Sequence, residues 1–166
     1  MSFKYKTYSN KYARLFEEMK RKILHLSTNK LEIEHIGSTA VKGLGGKGVI
    51  DISIGIRKWK DADEIVKILK KIGFKHFHDI ENNSLFVSSR MQCKEGYFHI
   101  HISRINTKRY NNTLVFRDFL RKYPQEAKKY AKIKKEIFEK CVGERQLYKK
   151  LKGKYFDEIS QLFPSP

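Results

Sequence analysis

Apolar and polar residues follow two rhythms along this chain, and the switches between them mark out its elements. From Ser9 to Leu26, the residues Tyr12, Leu15, Phe16, Met19, Ile23 and Leu26 recur every three or four positions. That spacing predicts one buried face of an α-helix. Asn29 and Lys30 interrupt it, and Leu31–Ile36 alternates as a strand. Between Gly37 and Gly48, five of twelve residues are glycine, so this connection is a loop whose backbone can approach a ligand closely. Val49–Ile56 alternates cleanly, with Ile50, Ile52, Ile54 and Ile56 on one side and Val49, Asp51, Ser53 and Gly55 on the other.

Asp61–Lys71 reads as a helix with Ala62, Ile65, Ile68 and Leu69 inward and Gly73 as its stop. Phe74–His78, Ser84–Met91 and Tyr97–Ile105 read as strands, with a turn at Lys94–Gly96. Three helices then follow: Asn111–Lys122, Pro124–Cys141 and Glu144–Phe163. Pro124 suits a first helical turn, and Gly143 suits a break between helices. The order predicts an α+β fold with a mixed sheet and a helical C-terminal part. We expect a single domain over 1–166, its sheet core at about 8–106 and its C-terminal helices at about 110–163.

Composition narrows the class. With 40% apolar and 13% aromatic residues, the chain can fill a core despite 33% charged residues. No uninterrupted apolar run is long enough to span a bilayer, and the first residues lack the apolar stretch of a signal peptide. A cytoplasmic protein with no membrane partner is the expectation, and in that compartment Cys93 and Cys141 are two reduced thiols. The formal net charge is +18, a field that attracts polyanions. Between Lys108 and Lys154 there are 16 Lys or Arg against 5 Asp or Glu. The basic C-terminal helices are therefore either a candidate RNA surface or a solvated lysine-rich face.

The two alternating strands carry the candidate chemistry. If the isoleucines of Val49–Ile56 face the core, Asp51 and Ser53 face away from it. If Phe98, Ile100 and Ile102 face the core, so do His99, His101 and Ser103 face away. Should the strands be neighbours, one face gathers Asp51, Ser53, His99 and His101. Upstream, a Gly37–Ser38 turn offers backbone N–H groups and a hydroxyl to phosphate oxygens. Lys47 offers a point charge to them, and Asp51 on the next strand can hold Mg²⁺ bridging the same phosphates. His76 and His78 repeat the spacing of the later histidine pair without a supporting motif.

The run Ile33-Glu-His-Ile-Gly-Ser-Thr-Ala-Val-Lys-Gly-Leu-Gly-Gly-Lys-Gly-Val-Ile-Asp-Ile52 resembles the signature of the GrpB family. Five further segments resemble that family in order, so the resemblance covers nearly the whole chain: Tyr8-Ser-Asn-Lys-Tyr12, Phe98-His-Ile-His-Ile102, Phe116-Arg-Asp-Phe-Leu120, Tyr130-Ala-Lys-Ile-Lys134 and the Tyr148…Lys152 pair. The resemblance implies a nucleotidyltransferase-like fold, in the superfamily of DNA polymerase beta and antibiotic adenylyltransferases. In that superfamily a Gly-Ser motif grips a triphosphate, two carboxylates on the next strand hold two Mg²⁺ ions, and a later strand adds a third carboxylate.

Carried onto this chain, Gly37, Ser38 and Thr39 match the grip and Asp51 the first carboxylate. Ser53 stands where the second carboxylate belongs, and His99 and His101 where the third is sought. Lys42 and Gly48 replace prolines usual in the family. Asp51, His99 and His101 are thus the candidate catalytic and metal-holding residues. Mg²⁺ prefers oxygen donors, so Zn²⁺, Mn²⁺ or no metal suits this set better. Lys47, Arg117, Lys134, Tyr148 and Lys152 are candidate phosphate or nucleotide contacts, and His35 is either structural or part of the site. Three functions follow: metal-assisted nucleotidyl transfer to a small molecule or RNA; a non-catalytic nucleotide- or phosphate-binding module; and an RNA-binding protein. In some relatives the domain is fused to dephospho-coenzyme A kinase, which suits an accessory role.

Overall fold

The isoleucine rhythm of Val49–Ile56 becomes a strand whose four isoleucines are sealed from solvent. At roughly 1.5–3 kcal/mol for each such side chain, this face alone commits the strand to the interior. The structure is a computed structural model, and it describes residues 5–75, 77–80, 84–88, 97–141 and 144–161. In chain order the elements are α1 Lys11–Leu26, β1 Glu32–Ile36, β2 Val49–Ile56, α2 Ala62–Lys71, β3 Phe77–Ile80, β4 Ser84–Ser88, β5 Tyr97–Arg104, α3 Lys108–Lys122, α4 Pro124–Lys140 and α5 Arg145–Ser160. Short 3₁₀ turns at Ser38–Ala40 and Trp59–Asp61 precede β2 and α2.

The strands form one sheet in the order β1-β2-β5-β4-β3, with β2 and β5 parallel and the other neighbours antiparallel. The predicted neighbours therefore do pair, and their register sets Asp51 opposite His99 and Ser53 opposite His101. One face of the sheet packs Ile50, Ile52, Ile54, Ile56, Phe98, Ile100 and Ile102 against the apolar stripes of α1 and α2. A second apolar cluster lies on the C-terminal helices, where Phe119, Leu120, Ala127, Tyr130 and Ile159 enclose Val41 and Leu44 of the glycine-rich connection.

Element boundaries differ from expectation where local bonding overrides periodicity. Phe74 does not begin a strand; its N–H closes the end of α2 on Leu69 O at 2.8 Å, with Gly73 at φ +96°. Helix α3 starts at Lys108 rather than Asn111, because Thr107 caps it by accepting from the Tyr110 N–H. The strand expected to Met91 is described only to Ser88, and the turn at Lys94–Gly96, Cys93, His76 and the side chain of His78 lie outside the described residues. Cys141 is a buried free thiol. Among the described residues no helix is long and apolar enough to cross a membrane.

The face bearing Asp51 is largely covered along β2 and β5. Ser53 and Ser103 are 2% and 3% exposed, and a Cβ on Gly55 would strike Ile105 and Tyr110. Toward the N-terminal ends of β2 and β5 the face opens, at Asp51, His99 and His101, whose side chains keep about a quarter of their exposure. The second-carboxylate position is therefore closed off as well as uncharged.

Candidate functional site

The turn leaving β1 is built around Gly37, which sits at φ +72° and ψ −169°, a region open in practice only to glycine. A Cβ there would also run into the Asp51 carboxylate. Ser38 follows at the start of a 3₁₀ turn closed by Ala40 N–H to Gly37 O and Val41 N–H to Ser38 O. Thr39 was expected in the phosphate grip, but its side chain is buried and turned the other way. Its hydroxyl donates to Val49 O at 2.9 Å. That commits its one proton, so the His35 Nε2 at 3.0 Å is the donor to Thr39 Oγ1. The His35 ring stacks on Phe16 at 4.7 Å. Burial holds its pKa down at about 4, with Arg121 and Arg117 adding to that and Asp51 opposing it. His35 is a neutral structural wedge at neutral pH.

Two arginines of α3 fix this turn from the opposite side. Arg117, expected among the phosphate contacts, spends its guanidinium elsewhere. Nη1 donates to Glu34 Oε2 at 2.5 Å and His35 O at 3.0 Å, while Nε and Nη2 donate to Asp118. Burial disfavours that charge, but Asp118 and Glu34 more than restore it. Arg121 Nε donates to Ala40 O at 3.0 Å. Glu34 shares the face of Asp51, opposite Ser53 in the ladder, and is held by Arg117.

The glycine-rich connection then folds over the sheet end. Gly46 exchanges both backbone hydrogen bonds with Lys6, at 2.6 and 2.9 Å. Tyr5 lies against Gly45 and packs its ring on Phe138 of α4. Lys134 reaches in from α4, almost wholly buried, and Nζ donates to Gly45 O at 2.8 Å. A Cβ on Gly46 would sit 2.6 Å from that Nζ and 3.1 Å from Ser38 Oγ. The missing side chain thus leaves a hydroxyl and an ammonium facing one small space. Lys152 and Lys47 both act on Lys134 electrostatically, and Lys47 Nζ stands 4.5 Å over the Tyr148 ring. Burial, then Lys152 and Lys47, bring the Lys134 pKa down to about 7, against the pull of Asp51. Burial likewise pushes Tyr148 up to about 12.

Beside this cradle, Asp51 Oδ1 faces His99 Nδ1 at 3.4 Å and His101 Nε2 at 3.6 Å. Burial pushes the Asp51 carboxyl up, but the imidazoles of His101 and His99 outweigh it and hold the acid well below the usual carboxylate range. The group is an anion at neutral pH. Its donor set does not fit a pair of Mg²⁺ ions: it offers one carboxylate, a buried serine and two nitrogens, where Mg²⁺ asks for an octahedron of oxygens. Among the described residues, no three His, Cys, Asp or Glu side chains are arranged to hold a metal ion.

Of the residues singled out from the sequence, Gly37, Ser38, Lys47, Asp51, His99, His101, Lys134, Tyr148 and Lys152 come to one end of the sheet. Thr39, His35, Arg117 and Ser53 support it from within. Periodicity gave no sign of Tyr5, Lys6 or Arg121. The adjacent Gly45 and Gly46 were the available signal that something packs close to that backbone.

A family model described as GrpB protein matches residues 4–162. The Glutamate-rich protein GrpB of Alkalihalophilus pseudofirmus is 28% identical over 158 residues, covering 92% of this chain and 91% of that protein. The crystal structure of conserved protein GrpB from Enterococcus faecalis shares the fold with a TM-score of 0.78 at 22% identity, over 95% of this chain and 99% of that one. A Cid1 poly(U) polymerase mutant bound to MgATP matches with a TM-score of 0.53 at 15% identity, over 78% of this chain and 45% of that one. At such identity the likeness is one of fold, and the fold is nucleotidyltransferase-like.

Proposed function

This chain belongs to the GrpB family, and on that footing we propose that it binds the phosphate chain of a nucleotide, or a similar small polyphosphate, in the cradle over Gly46. The observation that carries this reading is Lys134. An ammonium buried at 5% exposure, hydrogen-bonded to a neutral carbonyl and opposed by Lys152 and Lys47 with Asp51 offsetting them in part, is short of compensating charge. An anion seated against Ser38 Oγ and Lys134 Nζ relieves it with charge-assisted hydrogen bonds. The loop is anchored on both sides, by Lys6 and by Arg121, so little ordering is left for the ligand to impose.

The test is thermal stabilisation by nucleoside triphosphates and by inorganic tripolyphosphate. A ligand bound by the folded state alone stabilises it by mass action, by about 2.7 kcal/mol at a hundredfold excess over Kd, and the Tm rises accordingly. We expect a clear rise in the wild type and none in Lys134→Met. A rise of equal size in both would remove the reading.

Nucleotidyl transfer is the second reading, favoured by the anionic Asp51 standing beside the cradle on the same sheet face. In it, Asp51 with His99 and His101 would be the reacting end. Release of pyrophosphate from a nucleoside triphosphate, abolished by Asp51→Asn, is the outcome that separates transfer from binding alone.

A further inference from the structure

The superfamily's phosphate chemistry relies on divalent cations held by two or three carboxylates, and this chain departs from that in two ways that point the same direction. Its acidic donors are too few: Asp51 is the one carboxylate among positions 51, 53, 99 and 101. Neither oxygen of that carboxylate is well placed for Mg²⁺. Oδ1 has imidazole nitrogens at 3.4 and 3.6 Å, and Oδ2 lies against Gly37. Meanwhile the cations are present as side chains. Lys152 and Lys47 both act on Lys134 electrostatically, and Lys134 Nζ and the Ser38 hydroxyl both lie close to the point a Cβ on Gly46 would take.

We propose that the cradle takes its polyphosphate as the metal-free anion, with the ammonium groups of Lys134, Lys152 and Lys47 supplying the positive charge that related folds draw from divalent cations. This rests on the phosphate-binding reading above and specifies the form of the ligand. A phosphate chain already complexed to Mg²⁺ has surrendered part of its charge, and its cation faces lysines rather than carboxylates. Such a complex is the poorer ligand, because ammonium–phosphate attraction is strongest for the uncompensated anion. Asp51 then stands as a like charge near the phosphate, with His99 and His101 tempering it, rather than as a metal ligand.

The experiment is a calorimetric titration of inorganic tripolyphosphate into the full chain, in EDTA and in excess Mg²⁺, Mn²⁺ or Zn²⁺. The expected result is binding in EDTA that excess Mg²⁺ weakens several-fold. Lys152→Met, at an exposed position that leaves the fold intact, should weaken binding in EDTA by about tenfold. Asp51→Asn should bind at least as tightly as the wild type. Binding that appears only with a divalent cation, or that is about tenfold tighter with one and lost in Asp51→Asn, overturns the inference while leaving the phosphate reading intact. No heat under any condition removes the phosphate reading itself, and this inference with it.

Discussion

The buried ammonium of Lys134 gives the account its sharpest predictions at the level of single residues. Its pKa falls from 10.5 to about 7 in the fold. Between those values the unfolded chain binds one more proton than the folded one, so stability rises with pH across that window. Below about pH 7 the penalty of burying the charge is fully present. Lys134→Met should therefore stabilise the ligand-free protein at pH 7 by on the order of 2 kcal/mol. That advantage should shrink as the pH is raised toward 10, as denaturant melts at several pH values would measure. The same variant should lose polyphosphate binding, so stability and binding move in opposite directions. Gly37→Ala makes a simpler case. Its φ of +72° and the Asp51 carboxylate at its Cα both exclude a methyl group, and a loss of about 1–3 kcal/mol in chemical denaturation is expected.

Among the elements, α3 works as a clamp on the β1 turn. Arg117→Ala leaves Glu34 and His35 O without their donor, and a loss of about 2–4 kcal/mol is expected. Measured well below the melting range, tripolyphosphate affinity should change little; a phosphate contact would show the reverse pattern. The α2 helix makes a comparable tie through Glu64, whose carboxylate accepts from Thr28 N–H, Thr28 Oγ1 and Asn29 Nδ2. The Thr28 N–H is the main cause holding Glu64 below its ordinary pKa. Its contribution is present at neutral pH and fades as the carboxyl protonates, so Glu64→Gln should lower the Tm at pH 7 and have less effect near pH 3.

These ties also mark what sequence could and could not reveal. Strict alternation exposed β2 and β5, because an all-isoleucine face has only one place to go. Their adjacency entered only as a condition, and the β2–β5 pairing that brings Asp51 to His99 and His101 is what the structure adds. The direction of Thr39 and the partners of Arg117 did not. A 3₁₀ turn reverses side-chain direction within one residue, and an arginine reaches whichever carboxylates the packing of α3 delivers. The burial of Ser53 was equally hidden, since strand alternation says which face a residue takes and not what lies over it.

For the whole molecule, the formal charge of +18 and the cradle are separable sources of anion binding. A field of that sign draws polyanions in general, and any association with RNA through it should fall steeply between 50 and 200 mM salt, on the order of a thousandfold if about six phosphates are neutralised. Binding of tripolyphosphate against the buried Lys134 ammonium is screened less and should fall by a much smaller factor over the same range. Lys134→Met should erase the second and spare the first. The central claim is one of place, and a crystal structure of the chain with tripolyphosphate tests it most directly. Phosphate oxygens should bond to Ser38 Oγ and Lys134 Nζ over Gly46. Phosphate bound instead to the outer lysines of α5, with nothing over Gly46, would contradict it.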